Sequence, residues 1–356
     1  MIQKKDEFNN NVIFSRMKTM SEVGLFDFEE RCSQLNLLGN PLERLNEAIE
    51  WESFRSVLSK IHEKPRKDNS GRKPYDCVLM FKVLILQSLY NLSDDQMEYH
   101  TRDRISFMQF LGLKLDDAVP DSKTIWLFRE QLTELNLIKT LFSEFDDFLS
   151  KQGYTARAGS IVDASIVEVP VQRNSREDNK QLKHGQIPRS FADNPNKMRQ
   201  KDTDARWLKK HNRSYFGYKN HVNVDVRHKL IRKYEVTAAS VHDSQMAKKL
   251  LDNNNSNKDV YGDSAYRSDE ISGELGKKGF RDCIHRKGYR GNKLAQRSKK
   301  ANTKKSRIRA RVEHCFGRLS QFGRKMLRCV GLVRVCAGIG LRNLVYNMDR
   351  YVRLAA

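Results

Sequence analysis

The sequence predicts an all-α region over residues 1–150, followed by a mixed α/β domain over residues 151–330. Three observations support this fold class. Apolar residues recur at helical spacing before Gly153, and short β-type runs separated by helical segments follow it. Ser-Asp and Pro-Asp-Ser sequences mark helix starts in the first region. We expect residues 331–356 to form a helical tail that packs on the second domain.

The first region contains a series of predicted helices. One lies in "NPLERLNEAIEWESFRSVLSKI", and a basic linker, "HEKPRKDNSGRKPYD", follows it. Further helices are predicted in "CVLMFKVLILQSLYNL", "SDDQMEYHTRDRISFMQFLGL" and "VPDSKTIWLFREQLTELNLIKTLFSEFDDFLSKQG". Their order over about residues 20–150 fits a DNA-binding domain of helix-turn-helix type. A packing module that makes no DNA contact is the alternative.

The second region predicts a mixed five-stranded sheet with flanking helices. The first strand is "GSIVDASIVEVPV", and "SYFGYKNHVNVDV" and "KLIRKYEVTAAS" predict a hairpin that turns at "RHK". Two further strands, "KDVYGDSAY" and "RDCIHR", alternate with helices in "HDSQMAKKLLDN" and "SDEISGELGKKG". The polar insert at about residues 171–213 is interpreted as a loop or a ligand-contacting excursion.

The balance of charged residues favours a polyanionic partner. The chain has 356 residues and a net charge of +22, which suits nucleic acid or an anionic membrane face. No apolar run approaches the ~18–20 residues that a membrane span needs, and "MIQKKDEFNN" does not resemble a signal peptide. Nucleic acid is therefore the expected partner, and no membrane association is expected.

Cysteine usage argues against a zinc ribbon or a disulfide framework. The six cysteines are scattered and form no CxxC pair, which is typical of a protein in the reducing cytoplasm.

One segment is strongly basic. Residues 286–312 contain twelve Lys or Arg residues and no acid. A phosphate-binding tract and a solvated basic loop are the two interpretations, and the first is favoured. The candidate DNA contacts within it are Lys299, Lys300, Lys304, Lys305, Arg307, Arg309 and Arg311.

Two aspartates occupy positions that suit a ligand site. Asp163 interrupts the apolar strand "SIVDASIV", where it is an accident, a hydrogen-bonded core group or a ligand. Asp263 follows Gly262 at the end of "KDVYGD", and ligands bind at the carboxyl ends of strands in open α/β sheets. A helix cap is the alternative role for Asp263, although "SDE" at residues 268–270 already supplies a cap.

Glu313 is the only acid between Asp282 and Asp349. It lies beside the apolar stripe of a predicted helix, which consists of Ile308, Val312, Cys315, Leu319 and Phe322. An exposed ion pair with Arg309, four residues earlier, contributes only ~0.3–0.5 kcal/mol and explains this acid poorly. Three hard oxygen donors suit two Mg²⁺ ions, or Mn²⁺, in phosphodiester chemistry.

The sequence resembles the bacterial insertion-sequence transposases of the DDE class, most closely the insertion-sequence-five group. The resemblance covers nearly the whole chain and includes "GRKPYDCVLMFKVLILQSLYNLSDDQMEY", "VPDSKTIWLFREQL", "SIVDASIV", "YFGYKNHVNVD", "VYGDSAYRS" and "RARVEHCFGRL". It implies a ribonuclease-H-like catalytic domain behind an α-helical DNA-binding region. It also implies cleavage at terminal inverted repeats by a metal-activated water, and joining of the freed 3′-hydroxyl ends to target DNA.

Carried over by residue, the resemblance makes Asp163, Asp263 and Glu313 the catalytic, metal-binding triad. Of the family's Tyr-x2-Arg-x3-Glu-x6-Lys signature, Arg309 and Glu313 are present, whereas Ser306 and Ser320 replace Tyr and Lys. In the family, Tyr and Lys at these positions usually contact the DNA ends. The candidate substitutes are Arg318, Arg324 and Lys325.

The "GYKNH" strand matches the family as well. It places Tyr218, Lys219 and His221 near the active site, with Lys219 a candidate DNA contact; a plain hairpin is the alternative. For His242 and Asp243 a helix start is favoured over a supporting role in the site.

The resemblance implies a homodimer on paired DNA ends, acting on nucleoid DNA in the bacterial cytoplasm. A non-catalytic DNA-binding regulator derived from such an element is the alternative function. A nuclease that acts on RNA or on particular structures is a further alternative.

Overall fold

A computed structural model describes residues 26–63, 73–288, 291, 293–323 and 326–355. Part of the predicted linker, Arg290 of the basic segment, and Arg324 and Lys325 lie outside the described residues. The chain divides into two units, Met1–Asn40 and Pro41–Ala356. Helix α1 (Asp27–Leu37) belongs to the first unit, and every other element described below belongs to the second.

The N-terminal half of the second unit is helical, as predicted. Its helices are α2 (Pro41–Ala48), α3 (Arg55–Leu58), α4 (Cys77–Tyr90), α5 (Asp94–Asp103), α6 (Ile105–Leu111), α7 (Ser122–Glu134) and α8 (Leu137–Lys151). The predicted caps are present, because Ser93 forms a capping box with Gln96 and Asp121 accepts a hydrogen bond from the Thr124 N–H. Helix α4 is apolar on every side and mostly buried, which is typical of a central core helix.

No single helix among the described residues is long and apolar enough to cross a membrane. Helices α4 and α5 pass that test only as a pair, with a bend of 102° between them.

The C-terminal half contains the predicted mixed sheet, but it has six strands rather than five. They are β1 (Ser160–Glu168), β2 (Arg206–Lys210), β3 (Arg213–Asp225), β4 (Ile231–Ala238), β5 (Asp259–Tyr261) and β6 (Arg281–Asp282). The strand order is β2-β3-β1-β5-β6, and β4 also pairs with β3. The β1/β3, β2/β3 and β3/β4 pairs are antiparallel, and the β1/β5 and β5/β6 pairs are parallel. The predicted β3–β4 hairpin is confirmed.

The extra strand, β2, lies in the insert at about residues 171–213, for which the sequence predicts a loop or a ligand-contacting segment. The insert also contains α9 (Arg176–Lys183), α10 (Arg189–Ala192) and α11 (Pro195–Gln200). Strand β2 is largely exposed, so its sequence carries no apolar alternation that would reveal it.

Two helical layers cover the sheet. Val162 of β1 packs with α12 (Ala247–Leu250) and α13 (Asp269–Lys277) on one face. Val167 points to the other face, as strand alternation requires, and packs with α16 (Leu332–Ala355).

The predicted helix around Glu313 is divided into two. Helix α14 (Gln296–Arg309) buries none of its side chains, whereas α15 (Arg311–Gln321) buries Val312 and Cys315 and contacts β1. The break at Ala310 lets the apolar segment lie on the sheet while the basic segment stays at the surface.

Candidate active site

Asp163 lies in the middle of β1, on the face that α16 covers. Its Oδ1 accepts a hydrogen bond from the Ala164 N–H (2.8 Å), and its Oδ2 accepts one from Arg309 Nη1 (2.6 Å). Burial raises the pKa of the Asp163 carboxyl to about 6, and the charge of Asp263 adds to the rise. The two hydrogen bonds to its oxygens oppose that rise. Asp163 is therefore a mostly buried carboxylate held by one cation.

Asp263 follows β5 by two residues, where β5 runs parallel to β1. Its Oδ1 accepts a hydrogen bond from the Ala265 N–H (2.8 Å) and caps the short 3₁₀ turn Ser264–Tyr266. Ser268 separately caps α13. Asp263 therefore lies at a strand end and also acts as a cap, and the cap uses only one of its two carboxylate oxygens.

Glu313 lies in the first turn of α15, with 63% of its side chain exposed. Its Oε1 is 4.0 Å from Arg309 Nη1, which is also the atom that lies 2.6 Å from Asp163 Oδ2. The Arg309–Glu313 ion pair is therefore long, and the closer partner of Arg309 is Asp163. A guanidinium thus stands between two of the three candidate carboxylates.

The three carboxylates line one cleft with a volume of about 550 Å³. Side chains of β1, β3, α15 and α16 form its walls, and the tip of the β2–β3 hairpin contributes Lys210 and His211. Folding thus brings together residues that are 150 positions apart in the chain. The donor set contains only hard carboxylate oxygens, which suits Mg²⁺ or Mn²⁺.

The carboxylates are not yet gathered at metal-binding distance. Among the described residues, no three His, Cys, Asp or Glu side chains are placed to hold one ion. Arg309 supplies the positive charge beside Asp163 instead. The donors fit the metal by their chemistry, but Arg309 and the exposed Glu313 side chain must move before all three can bind it.

Two family models match separate parts of the chain. Residues 155–348 match the family model described as "Transposase DDE domain", and residues 30–131 match the one described as "Transposase domain (DUF772)". The chain belongs to the DDE transposase family. It is thus a metal-dependent DNA transposase, and the predicted ribonuclease-H-like fold is confirmed. The narrower insertion-sequence-five assignment stays a prediction.

One solved structure is similar to this chain at a low level. It is the cryo-EM structure of a piggyBac transposase synaptic complex with hairpin DNA. The identity is 12% and the TM-score 0.44, over 90% of the present chain and 76% of the other.

The predicted DNA-contacting cations of the transposase fall into two groups. Lys299, Lys300, Lys304 and Arg307 are exposed on α14. The other five have partners within the protein. Lys305 donates to the Ile284 carbonyl, Arg311 to the Val226 carbonyl, Arg318 to Asp349, Arg309 to Asp163, and Lys219 to the Val241 carbonyl.

Lys219 and His221 do not line the cleft. Val222 of β3 is the cross-strand partner of Asp163, so its side chain lies on the same face of the sheet as Asp163. Lys219 and His221 are an odd number of residues from Val222, and their side chains therefore lie on the opposite face. Lys219 Nζ is 2.8 Å from Asp243 Oδ1, and His242 caps the 3₁₀ turn that begins at Asp243. The favoured helix start is therefore present, and Asp243 also forms an ion pair beneath the sheet.

Several residues of the cleft are not among those that the sequence predicts. Asn220 and Asn343 join β3 to α16 through reciprocal amide hydrogen bonds (2.9 and 3.2 Å), and Arg342 donates to the carbonyls of Gly323 and Met326. Asn220 shares the Asp163 face of the sheet, which alternation within "GYKNHVNV" could have revealed. Nothing in the local sequence of α16 indicates that this helix lines the cleft.

Proposed function

We propose that the transposase binds the terminal inverted repeats of its element, cleaves phosphodiester bonds there and joins the 3′-hydroxyl ends to target DNA. Asp163, Asp263 and Glu313 are the catalytic carboxylates in this proposal. The observation that carries it is their convergence on one cleft in a chain with a net charge of +22. A cleft of about 550 Å³ has room for a phosphodiester and the sugar on either side of it.

The same three side chains would hold two divalent ions, Mg²⁺ or Mn²⁺. Ions bound there supply Lewis-acid stabilisation of the charge that develops on phosphate oxygens. Asp163 contributes its oxygens only in the ionised form, which the cation of Arg309 favours despite burial. Glu313 is largely exposed and therefore can turn into the cleft without a packing cost. Arg309 would exchange its contact with Asp163 for one with a DNA phosphate.

DNA would lie along the exposed side of α14. Lys299, Lys300, Lys304 and Arg307 present four charges on that helix, and Lys210 at the cleft rim extends the positive surface toward the carboxylates. In this proposal residues 1–150 recognise the repeat, residues 151–330 carry out catalysis, and residues 331–356 pack as a tail. Two protomers would hold paired ends in the bacterial nucleoid.

The test is a cleavage assay on DNA that carries the terminal inverted repeats of the element, with Mg²⁺ present. We expect Asp163→Asn, Asp263→Asn and Glu313→Gln each to abolish strand scission while retaining DNA binding. Glu168→Gln is the matched control, because Glu168 also lines the cleft but lies at the far end of β1. That variant should cleave normally.

Cleavage that survives all three triad substitutions would reject the catalytic assignment. DNA binding without cleavage by the unmodified protein would favour the regulator. Cleavage that needs no repeat sequence and produces no joined ends would favour a nuclease. Light scattering of the protein with and without repeat DNA tests the dimer, and a single protomer on paired ends would refute it.

A further inference from the structure

A second cavity lies on the other side of α16 from the catalytic cleft. Its volume is about 400 Å³, and α7, α11, α16 and the segment before α16 form its walls. Ile339 and Asn343 of α16 line the catalytic cleft, whereas Gly338 and Leu341 of the same helix line the second cavity. One helix, about 10 Å across, therefore separates the two spaces.

An exposed indole forms part of this cavity. Trp126 of α7 is 48% exposed, and it has no aromatic partner among the residues that the structure describes. Trp51, by contrast, is buried between Phe81 and Phe110. Apolar atoms of Ile138 and Leu341 continue the surface beside Trp126. An indole that does not serve the core is available to a planar ligand.

Four arginines line the same cavity as the indole, and two of them form ion pairs within the protein. Arg129 forms a two-bond ion pair with Asp94 (2.6 and 2.7 Å), and Arg334 pairs with Glu130 (2.7 Å). These pairs fix the wall of the cavity.

The remaining two arginines leave the cavity positively charged. Arg199 of α11 and Arg328 are exposed and have no ion-pair partner within the described part of the chain. They come from segments 129 residues apart in sequence, so the fold, and not a local basic run, brings both to the cavity that Trp126 lines.

We infer that this cavity binds an unpaired nucleotide of single-stranded DNA, with its base stacked on Trp126 and its flanking phosphates on Arg199 and Arg328. Proteins that hold single-stranded nucleic acid combine aromatic platforms with cations in this way. Bases within a duplex cover each other's faces, so an indole beside a cavity of this size suits a base that has left its stack. The inference deepens the proposed function and rests on the action of the transposase on DNA.

The experiment uses the full-length protein and a single-stranded oligonucleotide that contains 2-aminopurine. Stacking on Trp126 should quench the 2-aminopurine fluorescence, and Trp126→Ala should abolish the quenching and raise Kd about 5–150-fold. Trp126→Phe keeps a ring and should restore most of the affinity. The matched control is Trp207→Ala, because Trp207 is also 45% exposed but packs against Phe216 and lies outside the cavity.

The paired substitution Arg199→Ala with Arg328→Ala should weaken single-stranded binding more than binding to the matched duplex. Equal losses for the two forms would overturn the inference, since they would indicate a general phosphate surface. Unchanged quenching in Trp126→Ala would also overturn it, and so would displacement of the oligonucleotide by polyglutamate at equal charge. Thermal melting identifies any variant that fails to fold, and Trp126→Phe then decides the matter.

Failure of the proposed function is separable from failure of this inference. Asp163→Asn lies across α16 from the cavity and should quench 2-aminopurine as the unmodified protein does. Normal quenching without any cleavage of repeat DNA would reject the catalytic proposal alone. Normal cleavage without quenching would reject the nucleotide site alone.

Discussion

Replacement of Arg309 by methionine should strengthen the binding of a divalent ion to the DNA-free protein. Arg309 Nη1 lies 2.6 Å from Asp163 Oδ2, and the two side chains are only 26% and 13% exposed. A hydrogen bond to a charged group contributes about 1.5–3 kcal/mol. A metal ion that binds Asp163 must replace this contact, so its affinity is lowered by about 10–150-fold.

Two further features determine how much Arg309→Met should strengthen metal binding. Arg309 Nε is buried without a hydrogen-bond partner among the described residues, which places the net contribution of the pair toward the lower end of that range. Loss of the guanidinium also raises the pKa of Asp163 further above about 6, because burial already disfavours the carboxylate. The titration is therefore done near pH 8, well above the pKa of about 6 that Asp163 has in the unmodified protein.

Titration of Mn²⁺ by calorimetry, without DNA, measures the affinity. Arg307→Met is the control, since Arg307 carries the same charge on α14 but is exposed. We expect about tenfold or greater tightening in Arg309→Met and little change in Arg307→Met. Without metal, Arg309→Met should lower the free energy of unfolding by about 1–3 kcal/mol. Equal Mn²⁺ affinity in the two variants, or weaker binding in Arg309→Met, would refute the reasoning.

Three other outcomes are expected. Burial lowers the pKa of His221 to about 4 in the folded protein. As the pH falls below 6.5, the unfolded chain therefore binds a proton at this histidine before the folded protein does. The free energy of unfolding should fall by about 1–3 kcal/mol from pH 6.5 to pH 4. Urea titrations of His221→Gln should show a smaller loss over that interval. Gly340→Ala would press its Cβ against the hydroxyl of Tyr234. It should lower the free energy of unfolding by about 1–3 kcal/mol, which is measured as a lower melting temperature. Gly273→Ala, with no neighbour within 4 Å in α13, should raise it slightly. Removal of two charges with Lys299→Ala and Lys304→Ala should reduce the salt slope of duplex binding by about 1.8, whereas an unchanged slope would place the DNA elsewhere.

Elements with a clear local pattern could be predicted from the sequence. In the β3–β4 hairpin, apolar and polar residues alternate on both sides of a short turn. The capping residues Ser93 and Asp121 mark the starts of α5 and α7. Strand β2 could not be found in the same way, because a surface strand needs no apolar face. The break at Ala310 was also missed, since apolar spacing continues across it from Ile308 to Val312.

In the candidate site, the carboxylates could be predicted from the sequence, but the closest partner of Arg309 could not. Strand position singled out Asp163 and Asp263, and the scarcity of acids singled out Glu313; all three line one cleft, and their catalytic role stays a prediction. The only partner of Arg309 that the local sequence suggests is Glu313, its helical neighbour four residues away. The closer partner, Asp163, lies 146 residues earlier and depends on the packing of α15 on β1.

Helix α16 has a consequence for how the enzyme matures in the cell. A ribosome that has translated as far as Gly331 has made the six described strands and the three candidate carboxylates. It has not made α16, which lines the cleft and contacts α2, α4, α7 and α8. A nascent chain at that stage exposes the apolar partners of Val335, Ile339 and Leu344. Assembly of the cleft therefore waits for synthesis of α16, because one wall of the cleft and its apolar packing are incomplete without that helix.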